Sequence, residues 1–249
     1  MSSAPIIFSG VGKTYPMYHH FTGGIKNFLF NLPEALRSLR SSRFEALRDV
    51  SFEVAKGETL GIVGGNGAGK STLLGLAAGV LRPTTGAVKV SGRISPLLEL
   101  GAGFHRDLTG LENIMLNGVL LGLTRAEVKE RLAAIVEFSE LGAFIDQPLR
   151  VYSNGMVARL GFSVAAHLDP DVMLIDEVLA VGDEEFQKKC LEKMREFKRK
   201  GVTMLFVSHS MPSVKLICDR VIWIADRRVH MSGAPAEVVR AYAGEGAGL

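Results

Sequence analysis

Two hydrophobic rhythms alternate along the chain. Short, largely β-branched runs recur at PIIFSGV, FEALRDVSFEV, ETLGIVG, DVMLID, GVTMLFVS and DRVIWIAD. Beside them apolar residues step by three and four, as in the stretch that opens at Lys70 and in EEFQKKCLEKMREFKRK. Strand and helix in repeated succession predict an α/β fold whose largely parallel sheet is buried on both faces. From about residue 109 to 167 the strand signal stops and three helical stretches follow one another, which predicts a helical subdomain set within a core of about 1–108 and 168–249. No repeat or low-complexity tract interrupts the pattern, so 1–249 reads as a single domain.

Residues 16–44 depart from this plan. Ile25, Phe28, Leu29, Leu32, Leu36 and Leu39 line up as the apolar face of a helix interrupted by Pro33. Between Gly12 and Arg48 six basic residues stand against Glu34 and Glu45, a net +4 in a chain whose total is +3, so the remainder is close to neutral. A helix over 25–40 would be roughly 24 Å long at ~1.5 Å per residue, short of the ~30 Å hydrocarbon core of a bilayer. Such a helix lies on a membrane or packs on its own domain, and the pattern alone fits both.

Composition narrows the setting. With 47% hydrophobic and 22% charged residues the chain is an ordinary globular protein, which excludes disordered, collagen-like and coiled-coil classes. Cys190 and Cys218 have neither pairing nor metal-ligand spacing, so a reducing compartment is expected. The segment MSSAPIIFSGVGKTYP lacks the apolar core of a secretion signal, and no stretch approaches the ~18 apolar residues of a membrane span. The net charge is too small to argue for a nucleic-acid partner.

Four strings carry chemistry. Gly64, Gly65, Asn66, Gly67, Ala68, Gly69, Lys70, Ser71 and Thr72 follow the run ETLGIV and open a helix, so GxxxxGK[ST] stands in the strand-to-helix setting it needs. The glycines let successive backbone N–H groups close on phosphate oxygens, and the helix N-terminus adds a positive partial charge. Lys70 would reach the β- and γ-phosphates of a nucleotide and Ser71 would hold Mg²⁺. The run VMLIDE ends in two carboxylates: Asp176 suits Mg²⁺ through water, and Glu177 suits a general base on the attacking water. Ser208, His209 and Ser210 follow the strand after that one, which would aim His209 at the same phosphates. Tyr152, Ser153, Asn154, Gly155 and Met156 precede the helical VARLGFSVAAHL, where a Ser and a Gly at a helix N-terminus form a second anion site or a plain cap.

In this order and spacing the four strings resemble an ABC-type nucleotide-binding subunit, over residues from about 6 to the last helix. The resemblance implies a P-loop NTPase cassette with a RecA-like core, an antiparallel β lobe and a helical subdomain. It makes 153–156 the jaw that closes on the γ-phosphate of a second protomer. A narrower resemblance, on LLELGAGFHRDLTGLENI, YSNGMVARLGFSVA, DEVLAVGDEEFQKKCLEKM and the insert YHHFTGGIKNFLF, is to ATPase subunits of exporters for lipid-linked polysaccharide, of the O-antigen and teichoic-acid type. The chain departs from the broad pattern at three places. Glu99 stands near the position where most members have a Gln that meets Mg²⁺, YSNGM replaces LSGGQ, and Asp183 closes Ala180-Val181-Gly182-Asp183 as the residue facing across the dimer. The resemblance also makes Tyr15 the ring that stacks on adenine.

What it implies is ATP hydrolysis with Mg²⁺, in a homodimer bound to two copies of an integral membrane permease. The dimer would energise export of an O-antigen-like, lipid-linked polysaccharide from the cytoplasmic face of the cytoplasmic membrane, with a teichoic-acid or other polymer exporter as the alternative. A soluble, non-transport ABC ATPase is the less favoured reading, since such members carry two cassettes with a charged linker or a long heptad arm. A phosphate-loop switch or small-molecule kinase would have no use for 152–156 or His209. Beyond Val221 the chain offers two short strands and a helix, too little for the ~100 residues of a β-sandwich, so no C-terminal carbohydrate-binding domain is expected.

Overall fold

The computed structural model describes residues 4–16, 43–97, 100–176 and 182–246. The helical face expected at 25–40, Glu99 and Glu177 lie outside them. In chain order the strands are β1 (Ile6–Pro16), β2 (Arg43–Val54), β3 (Thr59–Val63), β4 (Thr85–Val90), β5 (Ile94–Leu97), β6 (Val172–Asp176), β7 (Thr203–Val207), β8 (Arg220–Ala225) and β9 (Arg228–Gly233). The helices are α1 (Lys70–Ala77), α2 (Gly110–Leu120), α3 (Arg125–Ser139), α4 (Asn154–Ala165), α5 (Glu184–Arg199), α6 (Met211–Ile217) and α7 (Pro235–Gly246).

Every residue of β3 and β7 is buried, as their unbroken apolar runs require of strands covered on both faces. They occupy the middle of a six-stranded sheet of order β5-β6-β7-β3-β8-β9, parallel from β5 to β8 and closed by the antiparallel edge strand β9. Because side chains alternate across a strand, the sheet divides its residues between two cores. Leu60, Ile62, Leu174, Leu205 and Ile222 face Leu73 and Leu74 of α1 together with Ile6, Phe8 and Leu47 of the first two strands. Met173, Ile175, Met204, Phe206 and Trp223 face the other way, into Phe162 of α4, Phe186 and Met194 of α5, Val214 of α6 and Val238 of α7. Fully buried, each of Phe162 and Phe186 stabilises the fold by about 1.5–3 kcal/mol.

A separate antiparallel sheet, β2-β1-β4, packs over α1. Together the two sheets bear out the mixed architecture that the resemblance implies. Two strands escaped the hydrophobic pattern. β4 is mostly exposed and carries a glycine, and β5 is four residues long and includes Pro96. Their pairing partners make them strands, Ile6 opposite Val90 and Ile94 opposite Val172. β1 also runs on past the apolar PIIFSGV to Pro16, because it is paired throughout with β2.

Helices α2, α3 and α4 follow one another through 110–165. Thr109 and Thr124 start α2 and α3 with reciprocal capping boxes to Glu112 and Glu127. The Thr backbone N–H and hydroxyl bonds hold both carboxyls below their ordinary pKa.

Candidate nucleotide-binding site

The loop from Gly64 to Gly69 leaves the carboxyl end of β3 and enters α1. Two of its glycines are required by their surroundings. At Gly69, with φ +104°, a Cβ would lie 2.6 Å from Leu47 Cδ2 and 2.7 Å from the Ala46 carbonyl, so β2 presses directly on the loop. At Gly64 a Cβ would lie 2.5 Å from the Ile224 carbonyl. Gly65 and Gly67 have open space where a Cβ would project, and Gly65, Asn66 and Gly67 are exposed. The loop is thus held from behind and open in front, as a phosphate cradle must be.

Lys70 is 7% exposed, and its Nζ donates to the carbonyls of Gly64 at 2.9 Å and Gly65 at 3.0 Å. These bonds fold the ammonium back over the loop, where an oxyanion held by the loop would meet it. The first bond of α1 that the loop completes is Leu73 N–H to the Gly69 carbonyl, 2.9 Å, so the helix N-terminus begins directly on the loop. Neither an acidic residue nor a capping side chain offsets the positive end of α1. Ser71 is exposed there and Thr72 is half-buried.

Register brings the other groups to the same edge. In β7, Val207 pairs with Asp176 on one side and with Ile62 on the other, so β6, β7 and β3 end level. Asp176 closes β6 half-buried, His209 follows β7 exposed, and the glycine loop follows β3. Ser210 N–H donates to Ser208 Oγ at 3.0 Å, and the Ser210 hydroxyl caps α6 by accepting from Ser213 N–H, which pins the chain on either side of His209.

The remaining groups gather elsewhere. Ser153 caps α4, its Oγ accepting from Met156 N–H at 3.2 Å, so the plain cap is present. Ser153, Asn154 and Gly155 are nevertheless exposed, a Cβ at Gly155 would meet only Ser153 Oγ at 3.8 Å, and no acid lies in the first turn. Tyr152 belongs to the scaffold: its hydroxyl donates to the Phe144 carbonyl at 2.6 Å, and burial raises its pKa. Asp183 caps α5 and approaches Arg159 of α4, Nη1 to Oδ2 3.8 Å, which ties it to the 153–156 helix.

Tyr15 pairs with Phe44 where β1 ends and β2 begins, with Lys13 Nζ 5.1 Å from the Tyr15 ring. Phe44, 41% exposed with the Arg227 guanidinium 5.3 Å from its ring, is the feature that sequence reasoning missed. A lone Phe separated from Tyr15 by the whole basic insert gives no local signal. Cys190 and Cys218 are free and buried, and burial pushes both thiols up to about 12, which leaves them inert at neutral pH.

A parallel sheet with a glycine loop after one strand, an acid closing the next but one and a histidine between them defines a phosphate-loop nucleotide-binding protein. The ABC transporter family model matches residues 47–180. The chain is 55% identical over 239 residues to the O-antigen export system ATP-binding protein RfbB of Klebsiella pneumoniae, covering 96% of this chain and 97% of that one. It is 40% identical over 237 residues to the teichoic acids export ATP-binding protein TagH of Listeria monocytogenes, covering 95% of this chain and 69% of the relative. Its fold is similar to a dimeric ATP-binding cassette in a post-hydrolysis state with ADP and Pi, at a TM-score of 0.73 and 20% identity over 92% of this chain and 98% of that one. The chain belongs to the ABC transporter family and is an ATP-binding cassette ATPase of that family.

Proposed function

We propose that this protein is the ATPase subunit of an exporter for a lipid-linked, O-antigen-like polysaccharide, working as a head-to-tail homodimer beneath an integral membrane permease. The observation that carries the reading is the 55% identity to an O-antigen export ATP-binding protein along nearly the whole of both chains. The lower identity to a teichoic acids export protein, 40%, makes that polymer class the second choice.

In this reading the 64–69 loop and the N-terminus of α1 bind the phosphates of ATP, with Lys70 against the β- and γ-oxygens. Ser71 and Asp176 would hold Mg²⁺, since a hydroxyl and a carboxylate suit a hard, oxygen-seeking cation. The bound ion would supply positive charge against the phosphate oxygens. Glu177 accepts the proton of the attacking water, and His209 bonds the γ-phosphate from the edge of β7. Tyr15, with Phe44 beside it, stacks on the base. The partner protomer supplies its own Ser153, Asn154, Gly155, Met156 and Asp183, so turnover requires two chains.

An apolar groove of about 350 Å³ between β5, α2 and α4, lined by Leu97, Leu100, Leu121 and Ala165 with exposed Val80 at its rim, supports docking of a permease segment here. Among the described residues no helix is long and apolar enough to cross a membrane. The basic 16–44 insert adds attraction to an anionic bilayer of ~1 kcal/mol per basic residue near the surface.

The test is complementation. In cells deleted for this subunit, the wild-type chain should restore polymer at the cell surface, whereas Lys70→Ala should leave lipid-linked polymer inside. Surface polymer in cells holding only Lys70→Ala, at normal levels of both subunits, would overturn the reading.

A further inference from the structure

Arg159 sits between two segments that the proposed function assigns to the partner's nucleotide. It lies on α4, about a turn and a half past Ser153. Its side chain is 20% exposed. One terminal nitrogen, Nη2, is bound to Glu140 Oε2, and the other, Nη1, is 3.8 Å from Asp183 Oδ2. The guanidinium carbon lies 4.6 Å from the centre of the Phe186 ring, and Nε is buried without a hydrogen-bond partner. One planar cation therefore joins α4, the end of α3 and the first turn of α5.

Its surroundings are built to hold it there. Glu140 is the residue after α3 and adopts the left-handed conformation, φ +55°, that a non-glycine residue adopts at a cost. That turn presents both carboxylate oxygens inward, Oε2 to Arg159 and Oε1 to Lys189 Nζ at 2.9 Å. Lys189 is held in turn by the Phe138 carbonyl at 3.0 Å, and its Nζ lies 4.5 Å from the Phe138 ring centre. Beneath, Phe138 stacks on Phe162 and Phe186 stands edge-on to both, with centroids 5.8 to 6.3 Å apart. The Phe186 ring against the guanidinium and the Glu140 bond hold the fork in place, so Asp183 closes on a fixed group.

Asp183 divides its carboxylate. Oδ1 accepts from Phe186 N–H at 2.9 Å and caps α5, while Oδ2 faces Arg159 just beyond hydrogen-bond range. We infer that Arg159 is a positioning residue that clasps Asp183 to α4, so that the 153–156 anion site and Asp183 reach the partner's nucleotide as one rigid jaw. The inference rests on the proposed roles of those two segments. About 1 Å of closure brings Oδ2 into a charge-assisted bond with Nη1, and that contact forms without loosening Glu140, because a different nitrogen makes it. Where α4 moves, Asp183 moves with it.

A double-mutant cycle read in turnover tests the clasp. In the full-length protein, Arg159→Met should lower kcat about 10-fold while ATP affinity and Tm change little. Asp183→Ala should lower kcat in the parent, yet add little to Arg159→Met. Arg159→Lys, which keeps the charge but not the fork, should recover part of the loss, and it carries the same cycle if Arg159→Met unfolds. Glu140→Gln with Asp183→Ala should be additive. The clasp is overturned by an unchanged kcat in Arg159→Met, by additive losses at 159 and 183, or by equal coupling of Asp183 to Glu140. If Asp183→Ala alone turns over normally, the role of Asp183 across the dimer falls as well. If Asp183→Ala is impaired and the cycle is additive, only the clasp falls.

Discussion

The glycine loop after β3 and the start of α4 are both helix N-termini suited to anions, yet they are built in opposite ways. The loop is backed by its own chain and open in front: Gly69 lies against β2, Gly64 against β8, and Lys70 is folded back onto two loop carbonyls. At the start of α4, Ser153 bonds to its own helix and Ser153, Asn154 and Gly155 are exposed, while Met156 packs against the core. A loop backed by its own chain can hold a ligand by itself, whereas a helix terminus exposed to solvent is completed by what docks on it. In the proposed function the first is a finished half-site and the second is completed by another copy.

The largest effect should separate binding from chemistry within the finished half. Glu177→Gln should cut turnover by about 10²–10⁴ while retaining ATP affinity, and ATP-bound dimers should accumulate in size-exclusion profiles. Lys70→Ala should instead weaken ATP binding itself by about 10- to 100-fold, the value of a hydrogen bond to a charged group. Equal affinities in the two variants would erase the distinction.

Next comes the division of the site between chains. Neither Lys70→Ala nor Ser153→Arg should turn over alone. An equal mixture should regain about a quarter of wild-type activity if one working site suffices, since half of randomly formed pairs are mixed and each then has one of two sites intact. A mixture as inactive as its components would place both segments in one chain's site.

Stability should then distinguish the two regions. Gly69→Val puts a branched side chain against Leu47 and the Ala46 carbonyl at positive φ, and should cost about 2 kcal/mol or more, a Tm fall of roughly 4–8 °C. Gly155→Ala should leave Tm unchanged or raise it by the equivalent of up to about 1 kcal/mol, while lowering turnover. A Tm loss in Gly155→Ala would mean that this terminus is packed after all.

The smallest effect is a pH slope in the helical region. His167 stands edge-on to Phe138, its Nδ1 2.7 Å from the Ser163 carbonyl, and burial lowers its pKa below 6.5. The unfolded chain takes up this proton more readily, so the stability that neutral His167 contributes is present above pH 6.5 and is lost as pH falls below it. Thermal melts from pH 7.5 to 5 should show a shallower decline in His167→Gln than in the parent. Identical slopes would remove His167 from the account.

What the sequence determined alone was whatever is encoded within a single turn or strand. The glycine spacing before Lys70 and the five-residue buried runs of β3 and β7 are local patterns, because burial on both faces demands continuous apolar residues. Asp176 and His209 were legible by their places after such runs. The tertiary structure decided the rest. β4 and β5 carry too little apolar signal to declare themselves, and are strands because β1 and β6 offer free edges in register. Phe44 reaches Tyr15, β2 presses on Gly69, and Asp183 faces Arg159 through pairing and packing across long sequence separations. Hydrophobic period is set by near neighbours, whereas which side chains of distant elements meet depends on sheet order and register, and these are fixed only when the whole chain has chosen its edges.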